Sequence, residues 1–437
     1  MKWPSILIAF IIIVPAFGFV EENHGVKQTK YEKRLGEAWL KEIDGVKILY
    51  IEGTNYEMGY QHGYLLRNET RENLRAILND ALRYNMTKQK LLQIWNVTEK
   101  HVPQEYIDEL HGLADGAGVS FNDVAAAYMA IISWGSKCFG IAAWNNATID
   151  KKLYFFRSFD LPMNMADPIT GKKMHDNAVL IVRKPKNGYA SITPSVAGSL
   201  HGGGGFNSRG IAIGMHTSLT NDFTFNGMPA VFRVQQVLDH AGNISEAIHY
   251  ITSNRTAGWT FIVADARIPI GYAIETTAHH YYVGSYNNAV ESIPPFWGIK
   301  EVVRRTNFFI SPELAATQRN HYDPSGLKGF IRIFTQNDPY FVIWRSYKAM
   351  SELVEENYGK FDLNTSMQLF QKGYRGDTDA MLKILIKMAN GTSFNRAWNM
   401  WVACPEDGDI VVSFARGNKI AFDEPYHYFN LYKLLQS

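Results

Sequence analysis

The chain has 437 residues, with 44 basic against 42 acidic side chains, a net charge of +2, and 46% hydrophobic, 13% aromatic and 20% charged residues. That near-neutral balance carries no electrostatic footprint for nucleic acid, and the composition is that of a globular chain rather than a disordered one. Two cysteines, Cys138 and Cys404, exclude a disulfide-stapled scaffold and any Cys-rich zinc or iron–sulfur site.

Lys2, an apolar run over 6–16, small residues at Ala16 and Gly18, and then Glu21 and Glu22 read as a secretory signal peptide over 1–18. The competing reading is an uncleaved anchor, since 3–20 is just long enough to span a bilayer. No later run is apolar for that length, so no stable membrane span is expected unless the leader is retained. Asn68, Asn85, Asn96, Asn146, Asn243, Asn254, Asn364 and Asn390 each open an N-x-S/T sequon. Eight exceed the roughly four that chance supplies. The expected location is secreted, lumenal (lysosome-like) or at the cell surface.

Residues 46–52 read as a strand broken by Gly53, and 56–66 starts a helix with Gly59 and Gly63 four apart. Small residues at that spacing let another element pack close. Apolar spacing predicts helices over 72–92, 103–114 and 125–132, the last with a Ser120/Asp123 cap. From Cys138 the pattern turns to short strands, at 139–144, 152–159, 178–183, 190–193 and 210–216, with Gly202–Gly205 as a tight turn. Helices follow at 229–241 and 245–252, strands at 260–265, 271–275 and 281–284, helices at 341–358 and 364–372, and a hairpin over 399–415. Strands and helices without βαβ alternation predict an α+β fold with mainly antiparallel sheets.

The sequence has no G-x-S-x-G elbow, H-E-x-x-H, P-loop or strand-borne G-x-G-x-x-G. His279-His280 has no Cys or carboxylate at ligand spacing, so no metal is expected, and no cofactor is implied. Cys138 stands where helical character gives way to strands. Arg157 and Asp160 follow it by 19 and 22 residues and can present a cation and an anion together near a strand end. Such a pair could hold an α-amino group or lower a thiol pKa. A buried structural cysteine and a surface ion pair are the plain alternatives.

From about residue 48 to the C-terminus the chain resembles the acyl-coenzyme A:6-aminopenicillanate acyltransferase family of N-terminal-nucleophile (Ntn) hydrolases, and more distantly acid ceramidase and N-acylethanolamine acid amidase. The resemblance is carried by Gly53-Thr-Asn-Tyr-Glu-Met-Gly59-Tyr-Gln-His-Gly63, by Glu109 to Val119 with Asn122-Asp-Val, and by Cys138 at the nucleophile position. Arg157-Ser-Phe-Asp160, Gly204-Gly-Phe-Asn207-Ser-Arg-Gly210, Pro229 with Arg233, Glu246, Asp265 with Glu275, and Arg305-Thr306-Asn307 with Pro312-Glu313 continue it in order. The chain departs from the family pattern at Lys137, Phe139, Ser158, Arg305 and Phe308.

The resemblance implies a four-layer αββα sandwich and one composite domain. It implies autocatalytic cleavage between Lys137 and Cys138, giving a mostly helical small chain (19–137) that stays as partner to a large chain (138–437). Cys138 would then act as thiol nucleophile and its new α-amino group as base. Asp160 would hold that amine, Arg157 would favour thiolate, Asn307 would donate to the oxyanion, and Asn207 would orient amine or substrate. The implied activity is an amidohydrolase or acyltransferase on the carbon–nitrogen bond of an acylated small molecule. A lipid amidase or phospholipase-B-like acyl hydrolase keeps the fold with another substrate. A non-catalytic secreted glycoprotein with a Cys138–Cys404 disulfide is the alternative from outside enzymology.

Overall fold

The computed structural model describes residues 29–130, 138–319, 340–376 and 397–437. The expected leader, Lys137 and Asn390 lie outside the described residues. Strands β1 (Thr29–Leu35), β2 (Ala38–Ile43) and β3 (Val46–Gly53) form an antiparallel meander. Its turns are made by Gly36 and by Asp44-Gly45, all at positive φ. Five helices follow: α1 (Asn55–Leu65), α2 (Arg67–Leu82), α3 (Lys88–Thr98), α4 (Gln104–Ala117) and α5 (Phe121–Ala130). Thr54 and Glu57 start α1 with a reciprocal capping box. The single helix expected over 72–92 is two helices. Asn85 turns left-handed at φ 57°, and the Thr87 hydroxyl then accepts from Lys90 N to cap α3.

After Cys138 come β4 (Phe139–Asn145), β5 (Lys151–Asp160), β6 (Ala178–Pro185), β7 (Ser191–Val196), β8 (Gly204–Asn207) and β9 (Ile211–Thr217). Helices α6 (Ala230–His240) and α7 (Ile244–Thr252) precede β10 (Trp259–Asp265), β11 (Ile270–Thr276), β12 (Tyr281–Gly284) and β13 (Val302–Arg305). Helices α8 (Tyr340–Glu356) and α9 (Leu363–Gly376) and strands β14 (Ala397–Cys404), β15 (Asp409–Phe414) and β16 (His427–Asn430) follow them.

The strands form a ten-stranded sheet, β1-β2-β3-β6-β7-β8-β9-β10-β11-β12, and a six-stranded sheet, β13-β4-β5-β14-β15-β16. Pairing is antiparallel except for β3 with β6. The sheets pack face to face over Ile48, Leu180 and Ile262 from one and Trp144, Phe155 and Trp401 from the other. Outside the larger sheet, Val234 and Leu238 of α6 and Ile251 of α7 cover Ile213, Phe261 and Ile274, while Met58 and Leu65 of α1 cover Leu49 and Ile181. Outside the smaller sheet, Ile343, Tyr347 and Phe370 of α8 and α9 cover Ile141, Phe156 and Val402. The order helix, sheet, sheet, helix is the expected αββα sandwich.

Two pairs of glycines set how closely α1 and α4 pack. A Cβ on Gly59 would lie 2.0 Å from Glu109 O, and one on Gly63 2.4 Å from Leu113 O. Reciprocally, Cβ atoms on Gly112 and Gly116 would lie 2.1 and 2.2 Å from Tyr56 O and Tyr60 O. The obstacles are backbone, which cannot rotate aside. Gly112→Ala is predicted to lower unfolding free energy by about 2–3 kcal/mol or more; an unchanged urea midpoint would contradict this packing.

Arg183 of β6 joins the same helix to α6. Its guanidinium pairs with Glu109 of α4, the closer contact being Nη1 to Oε1, and reaches Asp239 Oδ2 at 3.4 Å. All three groups are buried, so one cation faces two carboxylates. Burial, with Glu109 alongside, raises the Asp239 pKa to about 6 against the pull of Arg183. A carboxyl with a higher pKa folded than unfolded holds its proton more tightly in the native state. Its contribution is therefore present at acidic pH and is lost as pH rises through about 6. Asp239 is predicted to make the protein more stable at about pH 5 than at about pH 7, by about 1 kcal/mol. Urea titrations of wild type and Asp239→Asn test this, since the variant should lose most of that difference.

Candidate active site

Cys138 immediately precedes β4 and is 1% exposed. In the register of β4 with β5, Phe139 faces Ser158 and Gly140 faces Arg157. Continued by one residue, it sets Cys138 level with Phe159, with Asp160 next beyond. On the other side Gly140 faces Arg305 of β13, so Asn307, two residues on, comes level with Cys138, two residues back. Alternation puts Cys138 on the same face as Gly140 and Ala142, which is turned toward the larger sheet. Cys138, Arg157, Asp160 and Asn307 thus gather at one end of the smaller sheet.

Arg157 is fully buried between the sheets. Nη2 donates to Met215 O on β9, and the guanidinium lies 5.7 Å from the centre of the Phe159 ring. Among the described residues no carboxylate pairs with it, and its Nε and Nη1 have no hydrogen-bond partner. Space for it comes from glycine. A Cβ on Gly203 would stand 2.9 Å from Arg157 Nη2, and one on Gly214 2.8 Å from Cδ. Gly203 also has φ +84°, which a side chain would strain. The glycine run expected as a turn is therefore a turn leading into β8, and it makes room for a cation.

His216 occupies the next layer. A Cβ on Gly140 would come 2.7 Å from its Nε2. Burial first, and Arg157 second, hold its pKa well below the ordinary histidine value. The neutral ring meets Thr260 O at 3.2 Å through Nδ1, which assigns the proton there. The Thr260 hydroxyl donates to Thr306 O at 2.6 Å, beside Asn307. Asn307 is buried and donates through Nδ2 to Thr217 O at 2.8 Å. Arg305, the departure just before it, is a clamp between the sheets. It binds Glu275 of β11 through Nε at 3.0 Å and Glu291 through Nη1 at 2.8 Å.

Cys138 and Thr217 line a pocket whose enclosed space is about 50 Å³. Leu74, Ile77, Ala127 and Tyr128 line it from the segment before Cys138, and Leu161, Met174, Val231, Trp259 and Trp398 from the segment after. His201 lines it as well. Its Nε2 donates to Val231 O at 2.9 Å and its Nδ1 accepts from Gly203 N at 3.1 Å, with burial lowering its pKa to about 4. The sequence reading missed Tyr128, His201, His216 and Thr217. The position of His201 directly before the glycine run was the available signal for that residue.

Two expectations fall away. Asn207 does not reach the pocket. Its Nδ2 meets Val237 O, Leu238 O and Ala241 O at the end of α6, and its Oδ1 accepts from Arg209 N and Ile211 N. It ties the β8–β9 turn to that helix terminus. Cys138 and Cys404 are both buried and not joined to each other, so the disulfide of the non-catalytic reading is absent. Cys404 closes β14 at the level of Tyr154, five residues along β5 from the level of Cys138. That is about 16 Å along the strand, whereas a disulfide needs Cα atoms within about 7 Å. The Cys404 thiol lies 3.5 Å from Asp407 Oδ2, and burial with that carboxylate pushes its pKa up to about 12. His279 and His280 each do meet a carboxylate, Asp222 at 2.5 Å and Glu313 at 2.7 Å, but among the described residues no three metal-ligating groups converge.

Residues 152–372, half of the chain, match the family described as acyl-coenzyme A:6-aminopenicillanic acid acyl-transferase. The chain belongs to this family. The match begins 14 residues after Cys138 and takes in Arg157, Asp160 and Asn307. The chain is 26% identical over 385 residues to an uncharacterized protein of Archaeoglobus fulgidus, covering 77% of this chain and 60% of that protein. It is 28% identical to protein dcd1B of Dictyostelium discoideum, covering 47% of this chain and 45% of that one. It thus spans about half to three fifths of the length of these curated relatives. Among solved structures, a mutant conjugated bile acid hydrolase from Clostridium perfringens is 13% identical, with TM-score 0.39 over 68% of this chain and 93% of that one. Penicillin V acylase from Agrobacterium tumefaciens is 12% identical, with TM-score 0.39 over 68% of this chain and 87% of that one.

The contacts of Asn207 separate a structural from a catalytic role. Asn207→Ala leaves several buried backbone groups unpaired and is predicted to cost about 2–4 kcal/mol of stability. Alkylation of Cys138 in the folded fraction should keep its wild-type rate; a slowed thiol in a fully stable variant would return Asn207 to the site.

Proposed function

We propose that this protein is a cysteine amidohydrolase or acyltransferase that matures by cutting itself before Cys138 and transfers the acyl group of an acylated small molecule through a thioester. The observation that carries the reading is a cysteine just before an inward-facing strand, level with Asn307, at the same sheet end as the buried guanidinium of Arg157 and at the wall of an apolar pocket.

In maturation, Cys138 Sγ attacks the carbonyl of Lys137, the acyl chain moves from nitrogen to sulfur with release of the α-amino group, and water then hydrolyses the thioester to free the thiol and the Lys137 carboxylate. That amine then takes the thiol proton, a role its ordinary pKa near 8 suits. The thiolate adds to the substrate carbonyl, with Asn307 donating to the oxyanion and Arg157 favouring the anionic sulfur. The amine product leaves with the proton, and water or a second amine takes the acyl group from sulfur. Asp160, buried at the end of β5, is assigned to hold the α-amino group.

A lipid amide or ester as substrate is the second reading, supported by the largely apolar wall of the pocket. Export with a cleaved leader completes the proposal. Asn68, Asn85, Asn96, Asn146, Asn243, Asn254 and Asn364 are all exposed, as glycan acceptors must be. Among the described residues no helix is long and apolar enough to cross a membrane.

Intact mass under denaturing, reducing conditions tests the reading, wild type beside Cys138→Ala. Wild type is predicted to give two fragments, the larger starting at Cys138, and the variant a single chain. Equal cleavage in both would sink the Cys138 mechanism.

A further inference from the structure

The pocket has two unlike sides. The strand side carries Cys138, Thr217 and Trp398, whose buried indole Nε1 has no partner among the described residues. The other side is made by α2, α5 and the loop 197–203, and its polar atoms are spent on one another. Asn73 Nδ2 donates to Ala197 O at 2.9 Å, and its Oδ1 accepts from Asn177 at 3.0 Å. The Tyr128 hydroxyl donates to Gly198 O at 3.2 Å and accepts from Leu200 N at 3.0 Å. Gly198 N donates to His62 Nε2 at 2.9 Å, and the Ser199 hydroxyl donates to His201 O at 2.8 Å. Between these groups the wall offers Leu74, Ile77 and Ala127, all at most 8% exposed.

We propose that this wall selects the acyl group: Ile77 and Ala127, both from the segment before Cys138, set how long an acyl chain is accepted, and the wall admits unsubstituted hydrocarbon while rejecting a hydroxylated chain. The inference rests on the reading of Cys138 as the acylated nucleophile. A hydroxyl pressed against a wall whose polar groups are already paired with one another loses its water for little compensation. A side chain enlarged at Ala127 takes the volume of two or three methylenes, and each methylene denied burial weakens transition-state binding about fourfold. Ala127 is the sharper determinant, because a helix residue this small leaves the space that a longer side chain would fill.

The test uses the mature protein and a series of N-acyl p-nitroanilides with four, eight, twelve and sixteen acyl carbons, together with the terminally hydroxylated twelve-carbon chain. Adduct formation on Cys138 is followed in parallel by mass spectrometry with a four-carbon p-nitrophenyl ester. Ala127→Leu is expected to lower the sixteen- to four-carbon ratio of kcat/KM at least tenfold, and Ile77→Ala to raise it. The hydroxylated chain should fall at least tenfold below its plain counterpart. An adduct on Cys138 with chain-length ratios unchanged in both variants would overturn the assignment while leaving the nucleophile intact. Equal use of plain and hydroxylated chains would overturn the rejection of hydroxyls. Absence of any adduct on Cys138 would overturn the nucleophile reading and this inference with it.

Discussion

The constraint on which the site depends is a buried positive charge that no carboxylate pairs among the described residues. Taking a guanidinium out of water costs several kcal/mol unless its protons are bonded and a counter-charge is near. Among the described residues Arg157 has one carbonyl, an aromatic face and two nitrogens, Nε and Nη1, without a partner. The fold accommodates this by deleting side chains around it, at Gly203 and Gly214, and by keeping the adjacent His216 neutral. Arg183 and Arg305 contrast with it, since each faces two carboxylates, whereas the buried Arg233 resembles it, bonded to the Ile251 carbonyl with no carboxylate among the described residues.

Much of the architecture is legible because strand and turn chemistry is local. The hairpin at 399–415 and the strands around 260–284 show in the alternation of apolar residues and in the turns between them. The meander before β3 does not. β1 reads Thr-Lys-Tyr-Glu-Lys-Arg-Leu, an edge strand whose charges keep it from pairing further and hide it from any count of apolar positions. The break between α2 and α3 fails for another reason. Apolar spacing continues across it, and only the left-handed Asn85 and the Thr87 cap interrupt the helix.

At the site, the chemistry-bearing residues were legible and their surroundings were not. Cys138, Arg157 and Asn307 stand out by type and order, and strand register brings them together. Asn207 carried an equally good local signal, yet its amide caps a helix thirty residues on, a partner no local pattern reveals. Tyr128, His201 and His216 earn their places only through contacts with distant backbone, so their roles follow from tertiary structure alone.

The parallel pairing of β3 with β6 has a consequence for how the molecule holds together once opened. The segment before Cys138 supplies three of the ten strands of the larger sheet, joined to the rest along residues 48–53 by main-chain hydrogen bonds. A cut before Cys138 leaves that seam untouched. Losing the segment would unzip it and bare the flank of β6, whose apolar residues Leu180, Ile181 and Val182 lie along it. A bared strand of that kind adds other chains as readily as its own. Loss of the small piece would therefore be followed by aggregation rather than by recovery, which makes its departure a one-way event.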